Sequence, residues 1–272
     1  PNVLIILDNT ANWNTAFTNE RAALASVVAG LPVDKFNLGL MLFTETGGGN
    51  SNVDGGYVRA AVRLLNEDYK DRFSNLVASL HVTDDKSNGG KASKIMWEAH
   101  RYFSGGAPHA GNGKNKTDYL GNTSGTAASN AIYAVDGNAL SSKNGTAYNA
   151  PEQDGCVKNF IIYISNGAAS DNNSDITAAT NALIASGGSA TAIPLSPSGS
   201  QNNVADEWAR FMKKSALNIT SYTVDINKVT TGQGPGWTAL LKSVSGVSGG
   251  KYFDVASSGT QIADALKAIF SE

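Results

Sequence analysis

The feature that most constrains the fold is an uninterrupted run of apolar residues, Val3–Leu7, that ends abruptly at Asp8. The run does not alternate between apolar and polar residues, so it predicts a strand covered on both faces, as in the parallel sheet of an α/β domain. The loop after such a strand lies at its carboxyl end, where open α/β sheets bind ligands in a crevice. We therefore expect Asp8 and the residues after it to face a ligand.

A second run of the same kind, Phe160–Ile164, is followed by the small polar turn Ser165–Gly167. Between and beyond the two runs, strand and helix patterns alternate along the whole chain, as a doubly wound sheet requires. We predict a six-stranded, mostly parallel, Rossmann-like sheet with these two runs as its central strands. Helices should cover both faces.

The other elements follow from apolar spacing and from alternation. The strand Tyr57–Val62 alternates, which predicts an edge strand antiparallel to the one before it. The other predicted strands are Asn37–Thr44, Ile219–Ile226 and Lys251–Val255, and helices are predicted in the regions 13–31, 69–80, 92–103, 176–185, 204–217, 237–244 and 262–270.

The length suits one domain over residues 1–272, interrupted by two loop insertions. Residues 105–155 are rich in small polar residues and have no periodicity beyond Ala131–Val135, so we predict a peripheral surface insertion with little protection from hydrogen exchange. A Gly, Ser and Pro-rich stretch, 187–200, is a second loop insertion.

The first insertion contains three acids, Asp118, Asp136 and Asp154. They lack the spacing of a calcium-binding loop, and we predict that they are solvated.

The oxygen-bearing side chains after the first strand suggest a cation site. Thr10 and Asn12 stand two and four residues after Asp8, so an extended turn could aim all three side chains at one ion. Hard cations such as Mg²⁺ and Ca²⁺ prefer such oxygen ligands. The same turn also suits the capping of the following helix, and the sequence leaves both interpretations open.

The pattern Asp8-x-Thr10-x-Asn12 after a strand resembles the Asp-x-Ser-x-Ser that begins the metal-ion-dependent adhesion site of von Willebrand factor A domains. The resemblance implies a further threonine ligand, but the corresponding position in this sequence is Gly90 or Lys91. Ser93 lies nearby in the sequence.

The second strand run ends in Ser165-Asn166-Gly167, where the family has an aspartate as the last ligand, so Asn166 replaces it. The resemblance therefore implies a degenerate site that keeps one carboxylate. We expect no cofactor, or Mg²⁺ or Ca²⁺ bound weakly, because divalent affinity depends on ligand charge and number. Restoring the ligands by Asn166→Asp with Gly90→Thr should raise affinity. The residues of this degenerate site are Asp8, Thr10, Asn12, Ser93 and Asn166, which could instead hydrogen-bond one another.

Three further segments resemble the N-terminal A domain of PilY-type adhesins: Cys156–Phe160, Trp97–Gly106 and Gly249–Phe253. Those adhesins are large secreted proteins at the tips of type IV pili. The resemblance implies export through the periplasm to an extracellular place on the cell surface. It also implies minor pilins or pilus tip proteins as partners, and a host or abiotic surface as a further ligand.

Composition and motifs weigh against several other functions. The net charge is −2 and basic residues form no stripe, so nucleic-acid binding is not expected. No apolar run approaches the length of a membrane span. The turn after the first strand has no glycine, which disfavours a nucleotide-dependent enzyme. The histidines His81, His100 and His109 accompany no nucleophile motif, which disfavours a hydrolase.

The single cysteine, Cys156, cannot form a disulfide within the chain. It is either a buried thiol or forms a disulfide with another part of a longer protein. We therefore predict a non-enzymatic adhesion or protein-interaction module, with a structural subunit of an extracellular assembly as the alternative.

Overall fold

The computed structural model of the protein describes residues 1–10, 14–44, 53–123, 127–228, 234–256 and 258–272. The strands are β1 (Asn2–Leu7), β2 (Asn37–Phe43), β3 (Gly56–Leu64), β4 (Asn159–Ser165), β5 (Ile219–Ile226) and β6 (Tyr252–Val255). The helices are α1 (Asn14–Gly30), α2 (Glu67–Ser79), α3 (Ala92–Ser104), α4 (Ala127–Tyr133), α5 (Asn173–Ala185), α6 (Ala205–Lys214), α7 (Gly234–Gly246) and α8 (Gly259–Phe270). Among the described helices, none is long and apolar enough to cross a lipid bilayer.

The six strands form one sheet in the order β3-β2-β1-β4-β5-β6. Every neighbouring pair is parallel except β2 with β3, which is antiparallel and places β3 at an edge. The central strands β1 and β4 pair in register, with Ile5 opposite Ile162. The prediction of a doubly wound, mostly parallel sheet with the two apolar runs at its centre is confirmed.

Alternate residues of β1 enter two separate cores, one on each face of the sheet. Val3, Ile5 and Leu7 pack with α1, α2 and α8, whereas Leu4 and Ile6 pack with α3, α5, α6 and α7. All six residues of β1 are buried. This two-sided burial explains why the sequence of the strand shows no alternation.

Residues 105–155 are fixed to β3 through Asp118. Its buried carboxylate accepts two hydrogen bonds from Arg63, at 2.8 and 3.1 Å, and one from the backbone N–H of Ala61 at 2.7 Å. The backbone N–H of Asp118 donates to the carbonyl of Val58 at 3.0 Å. The prediction that Asp118 is solvated is wrong, because pairing with the Arg63 guanidinium compensates for its burial.

The other two acids of this segment, Asp136 and Asp154, are exposed as predicted. The segment nevertheless contributes buried apolar side chains to the second core, among them Leu140 and Tyr148. It is therefore packed more closely than its composition predicts.

Helix α3 holds the same segment through Glu98. The buried carboxylate of Glu98 accepts hydrogen bonds at 2.9 to 3.2 Å from three consecutive backbone N–H groups, those of residues 109–111, and another from the hydroxyl of Tyr148. Burial raises the pKa of Glu98 to about 6, although these donors oppose the shift. Residues 109–111 are thus held in place by one carboxylate on α3.

The second predicted loop, 187–200, contains no helix or strand. The side chain of Gln201 fixes its middle, because it accepts from the N–H of Leu195 and donates to the carbonyl of Ile193, both at 2.8 Å. Cys156, before β4, is exposed, so the interpretation as a buried thiol is wrong.

Candidate ligand and metal site

The carboxyl ends of β1 and β4 meet at the switch in strand order, where doubly wound sheets bind ligands. Here the chain leaves β1 toward β2 on one side and leaves β4 toward β5 on the other. Of the residues predicted for this crevice, the structure brings together Asp8, Thr10 and Asn166. Asn12 lies outside the described residues.

Asp8 is the acceptor around which this cluster is built. Its Oδ1 accepts from the backbone N–H and the hydroxyl of Thr10, at 2.9 and 2.6 Å, and its Oδ2 accepts from the backbone N–H of Asn166 at 3.1 Å. The residue is only 3% exposed. Burial raises the pKa of Asp8 to about 6, against the effect of the three donors.

A second carboxyl group, that of Glu20 on α1, lies behind Asp8. The side-chain Nδ2 of Asn166 donates to Glu20 Oε2 at 3.0 Å and to the backbone carbonyl of Asp8 at 3.2 Å. Burial, and then the charge of Asp8, raise the pKa of Glu20 well above its usual value. This second carboxyl group, which lies on α1 and contacts Asn166, was not predicted from the sequence.

The sequence does contain a signal for Glu20. The apolar positions of α1 recur at helical spacing, from Phe17 to Leu24 and Val28, and residue 20 falls on the same stripe. An acid at that position faces the sheet rather than solvent, because residues three or four apart share a helix face. The buried Glu20 could therefore have been found as a break in the apolar stripe.

Gly90 and Ser93 occupy different surroundings. A Cβ at Gly90 would lie 3.1 Å from Thr10 Cγ2, so Gly90 adjoins the cluster but offers no side-chain oxygen. Ser93 is buried, donates its hydroxyl to Asn203 at 2.8 Å and accepts from the N–H of Val204 at 3.0 Å. Its hydroxyl thus contacts the residues just before α6, and no described hydrogen bond joins Ser93 to Asp8.

Two acids fix the loop after Asn166 and the first turn of α5 to the start of α3: Asp171, which is half-buried, and Asp175, which is buried. Asp171 accepts from the first two N–H groups of α3, those of Ala92 and Ser93, at 2.9 and 3.1 Å. Asp175 pairs with the buried ammonium groups of Lys91 and Lys94, at 2.8 and 3.0 Å. Lys91 is one of the two residues that could stand where the resemblance implies a threonine ligand. Its side chain instead forms a buried ion pair with Asp175.

Asn9 fastens the middle of the first loop to the neighbouring elements. Its side chain accepts from the N–H of Phe43 at 2.8 Å and donates to the carbonyls of Phe43 and Asp85, at 2.9 and 2.8 Å. Its own carbonyl accepts from the N–H of Ser87 at 2.8 Å. The loop that carries Asp8 and Thr10 is thereby held at the end of β2.

Asp85 extends this framework to residues 105–155. Its buried carboxylate accepts from Lys116 at 2.7 Å, from the backbone N–H of His81 at 2.8 Å, and lies 3.7 Å from the Arg59 guanidinium. Lys116 also donates to the carbonyl of Asp84 at 2.7 Å. The segment 105–155 and the crevice loops therefore share one set of contacts.

These side chains fit a hydrogen-bonded cluster better than a divalent ion. Mg²⁺ prefers roughly six oxygens in octahedral array. Both oxygens of Asp8 already accept hydrogen bonds, and Asn166 turns its amide nitrogen toward the other acceptors. Within the described residues, no group of three or more His, Cys, Asp or Glu side chains is placed to hold a metal.

No protein-family model and no curated protein matches the sequence. Several solved structures are similar to it in fold. The VWA domain of SpRpn10 is 11% identical with a TM-score of 0.42, over 98% of this chain and 93% of that one. Proximal thread matrix protein 1 of the mussel byssus, with a zinc-occupied MIDAS motif, is 10% identical with a TM-score of 0.46, over 98% of this chain and 46% of that one.

The pilus adhesin SpaC of Lactobacillus rhamnosus GG is also similar in fold. It is 10% identical with a TM-score of 0.48, over the whole of this chain and 30% of that one. What these proteins bind is a property of theirs and is not carried over to this chain.

Proposed function

We propose that this chain is a non-enzymatic adhesion or protein-interaction module at the tip of a type IV pilus, outside the cell. The proposal rests on the resemblance of its segments Cys156–Phe160 and Trp97–Gly106 to PilY-type adhesins. Minor pilins or other pilus tip proteins are the proposed partners, with a host or abiotic surface as a further ligand.

The structural observation that supports an interaction module is the contact of Lys116 with Asp85. Through it, residues 105–155 are fixed to the framework that holds Asn9 and the crevice. A module that binds other proteins gains affinity when its loops are ordered before binding, because less conformational entropy is lost. The arrangement supports presentation of these loops as one preorganised surface.

An exposed apolar side chain, Val53, stands beside this surface. It is 70% exposed and lies next to Asp54, whose carboxylate is 3.8 Å from Lys114 of the same segment. The backbone N–H of Gly55 donates a hydrogen bond to the hydroxyl of Thr44, the residue directly after β2, at 3.0 Å. Exposed apolar residues beside ordered polar loops are suited to protein contact.

The test is binding of the purified chain to immobilised minor pilins, with adherence to host cells and glass measured in parallel. Val53→Asp and Lys116→Ala should each weaken pilin binding about tenfold. The matched controls are Ile184→Asp, at a 55% exposed residue near the end of α5, and Lys267→Ala on the exposed face of α8, and both should bind as the parent does.

Absence of binding to all of these pilins and surfaces would contradict the proposal. Pilin binding without adherence to any surface would favour the alternative, a structural subunit without an adhesive ligand. Equal losses in Val53→Asp and Ile184→Asp would show that the crevice side is not the contact surface.

A further inference from the structure

A cavity of about 310 Å³ opens at the amino ends of the central strands, at the opposite end of the sheet from the crevice. Its floor is formed by Val3 of β1, Ile162 of β4 and Tyr222 of β5, which belong to the core beside α1, α2 and α8. Ile269 and Phe270, the last two residues of α8, form one wall. Because α8 ends beside it, the cavity reaches the apolar face of the sheet.

The other walls of this cavity are aromatic and only partly covered. Phe36 meets Phe270 edge to face, with ring centroids 5.2 Å apart, and the ring of Phe160 lies 6.1 Å from that of Tyr222. Phe36, Phe160 and Phe270 are half-buried, so an apolar group that covered them would remove further aromatic surface from water. Half-buried rings around a cavity form a narrow slot, which suits a hydrocarbon chain better than the face of a folded protein.

A second cavity, of about 350 Å³, adjoins the first and has more polar walls. The two share Lys158, Phe160 and Glu272, and the second is lined in addition by Lys213 of α6. Lys213 donates to the hydroxyl of Thr220 at 2.9 Å. Among the described residues, no carboxylate forms an ion pair with either lysine, so both ammonium groups can attract an anion.

The carboxylate of Glu272, which lines both cavities, does not cancel this positive charge. It forms an ion pair with Lys251 and accepts a hydrogen bond from the hydroxyl of Tyr222 at 3.0 Å. Its charge is therefore balanced by Lys251, and Lys158 and Lys213 remain as an excess of positive charge beside the aromatic walls.

We propose that the two cavities form one site for a small amphipathic carboxylic acid, such as a fatty acid of medium chain length. The hydrocarbon chain lies between the aromatic walls, and the carboxylate lies beside Lys158 and Lys213. Small-molecule sites have volumes of about 300–1,000 Å³, mainly apolar walls and a few polar groups that fix the orientation of the ligand. The site is at the far end of the sheet from the crevice, so the inference is independent of the proposed pilin contacts.

Calorimetric titration of the whole chain with hexanoate, octanoate, decanoate and octanol tests the inference, with each ligand kept below the concentration at which it forms micelles. Octanol has the same chain length as octanoate and carries no charge. The variants are Phe270→Asp, in the aromatic wall, and Lys158→Gln, at an exposed residue. The matched controls are Ala268→Asp and Lys267→Gln, at exposed residues of α8 that line neither cavity. Circular dichroism checks that each protein is folded.

We expect each pair of added CH₂ groups to raise affinity about tenfold as far as decanoate, because each methylene leaves water. Octanol should bind more weakly than octanoate. Lys158→Gln should weaken octanoate binding about threefold and leave octanol binding unchanged, since the lysine is exposed. Phe270→Asp should weaken both ligands by about tenfold or more, and both controls should bind as the parent does.

Cys156 supplies a second readout, because its exposed thiol lines the first cavity. At about ten times its dissociation constant, decanoate should slow labelling of this thiol about tenfold, because only the unoccupied protein reacts. An unchanged labelling rate with decanoate bound would place the ligand elsewhere and overturn the inference.

Three further results would overturn it. The first is that decanoate does not bind at the highest concentration at which it is free of micelles. The second is equal affinity for octanoate and octanol, which would show that the lysines take no part. The third is dimerisation of the parent that is lost in Phe270→Asp and kept in Ala268→Asp, which would assign the cavity to a second copy of the chain. If Phe270→Asp does not fold, Lys158→Gln and the thiol labelling decide the question.

Discussion

Arg63, on the edge strand β3, and Asp118, far along the chain, form an ion pair in which two guanidinium nitrogens meet two carboxylate oxygens. The side chains are 5% and 0% exposed. Removing one partner of a buried pair leaves the other charge without compensation. We expect Asp118→Asn to lower the free energy of unfolding by about 3–5 kcal/mol, as measured by urea denaturation.

The matched control is Asp136→Asn, at an exposed acid of the same segment. It should change the free energy of unfolding by less than about 0.5 kcal/mol. Similar values for the two variants would mean that Asp118 is solvated after all.

Hydrogen exchange should divide residues 105–155 into slow and fast parts. The N–H of Asp118 donates to the carbonyl of Val58 on β3, and those of Leu120 and Leu140 donate to carbonyls within the segment, so all three should exchange slowly. Residues 141–144, which are exposed, should exchange fast. Mass spectrometry of overlapping peptides checks this, and uniformly fast exchange would instead support the prediction made from composition.

His100 should make the fold sensitive to acid. It is 8% exposed, and its ring lies 5.3 and 5.2 Å from the rings of Trp208 and Phe211, centroid to centroid. Burial, and then the charge of Arg101, lower the pKa of His100 from 6.5 to about 4. Between these two pH values the unfolded chain binds the proton more readily, so stability is lost as pH falls through this range.

His100→Phe removes that proton site and keeps an aromatic ring. Relative to the parent, the variant should lose less unfolding free energy between pH 6.5 and pH 4, by on the order of 2–3 kcal/mol. Urea denaturation at both pH values measures the difference. Comparing variant with parent cancels the other acids that titrate in the same range, and a parallel loss in both proteins would contradict the prediction.

The exposed thiol of Cys156 should react in the folded protein. A thiol reagent added without denaturant should label each chain once, since the chain has a single cysteine. Intact-mass measurement against time gives the result. Labelling that begins only when denaturant is added would show that the thiol is covered.

Gly90→Thr together with Asn166→Asp should raise the affinity of the crevice for Mg²⁺, because divalent affinity depends on ligand charge and number. A Cβ at residue 90 would lie 3.1 Å from Thr10 Cγ2, so the threonine fits if its neighbour shifts by a few tenths of an ångström. Calorimetric titration of the parent and of the double variant measures the change, and equal affinities would contradict the prediction.

The central strands were predictable because a strand that is buried on both faces has apolar residues at successive positions. Five apolar residues without alternation, as in Val3–Leu7, fit few positions other than the middle of a covered sheet. The alternation of Tyr57–Val62 likewise predicted the antiparallel edge strand that the structure contains. These patterns are local, and they place β1 and β4 at the centre of the sheet and β3 at an edge.

The cluster at the crevice was only partly predictable, because its contacts join residues that are distant in sequence. Asp8 and Asn166 could be placed, since each directly follows a central strand. Ser93 could not, because nearness in the sequence does not say which way a helix turns its side chains. The buried position of Glu20 leaves a signal in the apolar stripe of α1, but its contact with Asn166 does not, and the Arg63–Asp118 pair likewise joins residues that local patterns do not connect.

The contacts of Asp118 with β3 also bear on how copies of this protein meet. An edge strand with unbonded N–H and C=O groups invites another strand to add to the sheet, in assembly or in aggregation. On β3, the carbonyl of Val58 already accepts a hydrogen bond from the backbone N–H of Asp118, and the N–H of Ala61 donates one to the Asp118 carboxylate. The long edge of the sheet is therefore blocked along this stretch, and the opposite edge is the four-residue strand β6. A chain so arranged can be concentrated on a surface without polymerising through its longest exposed edge.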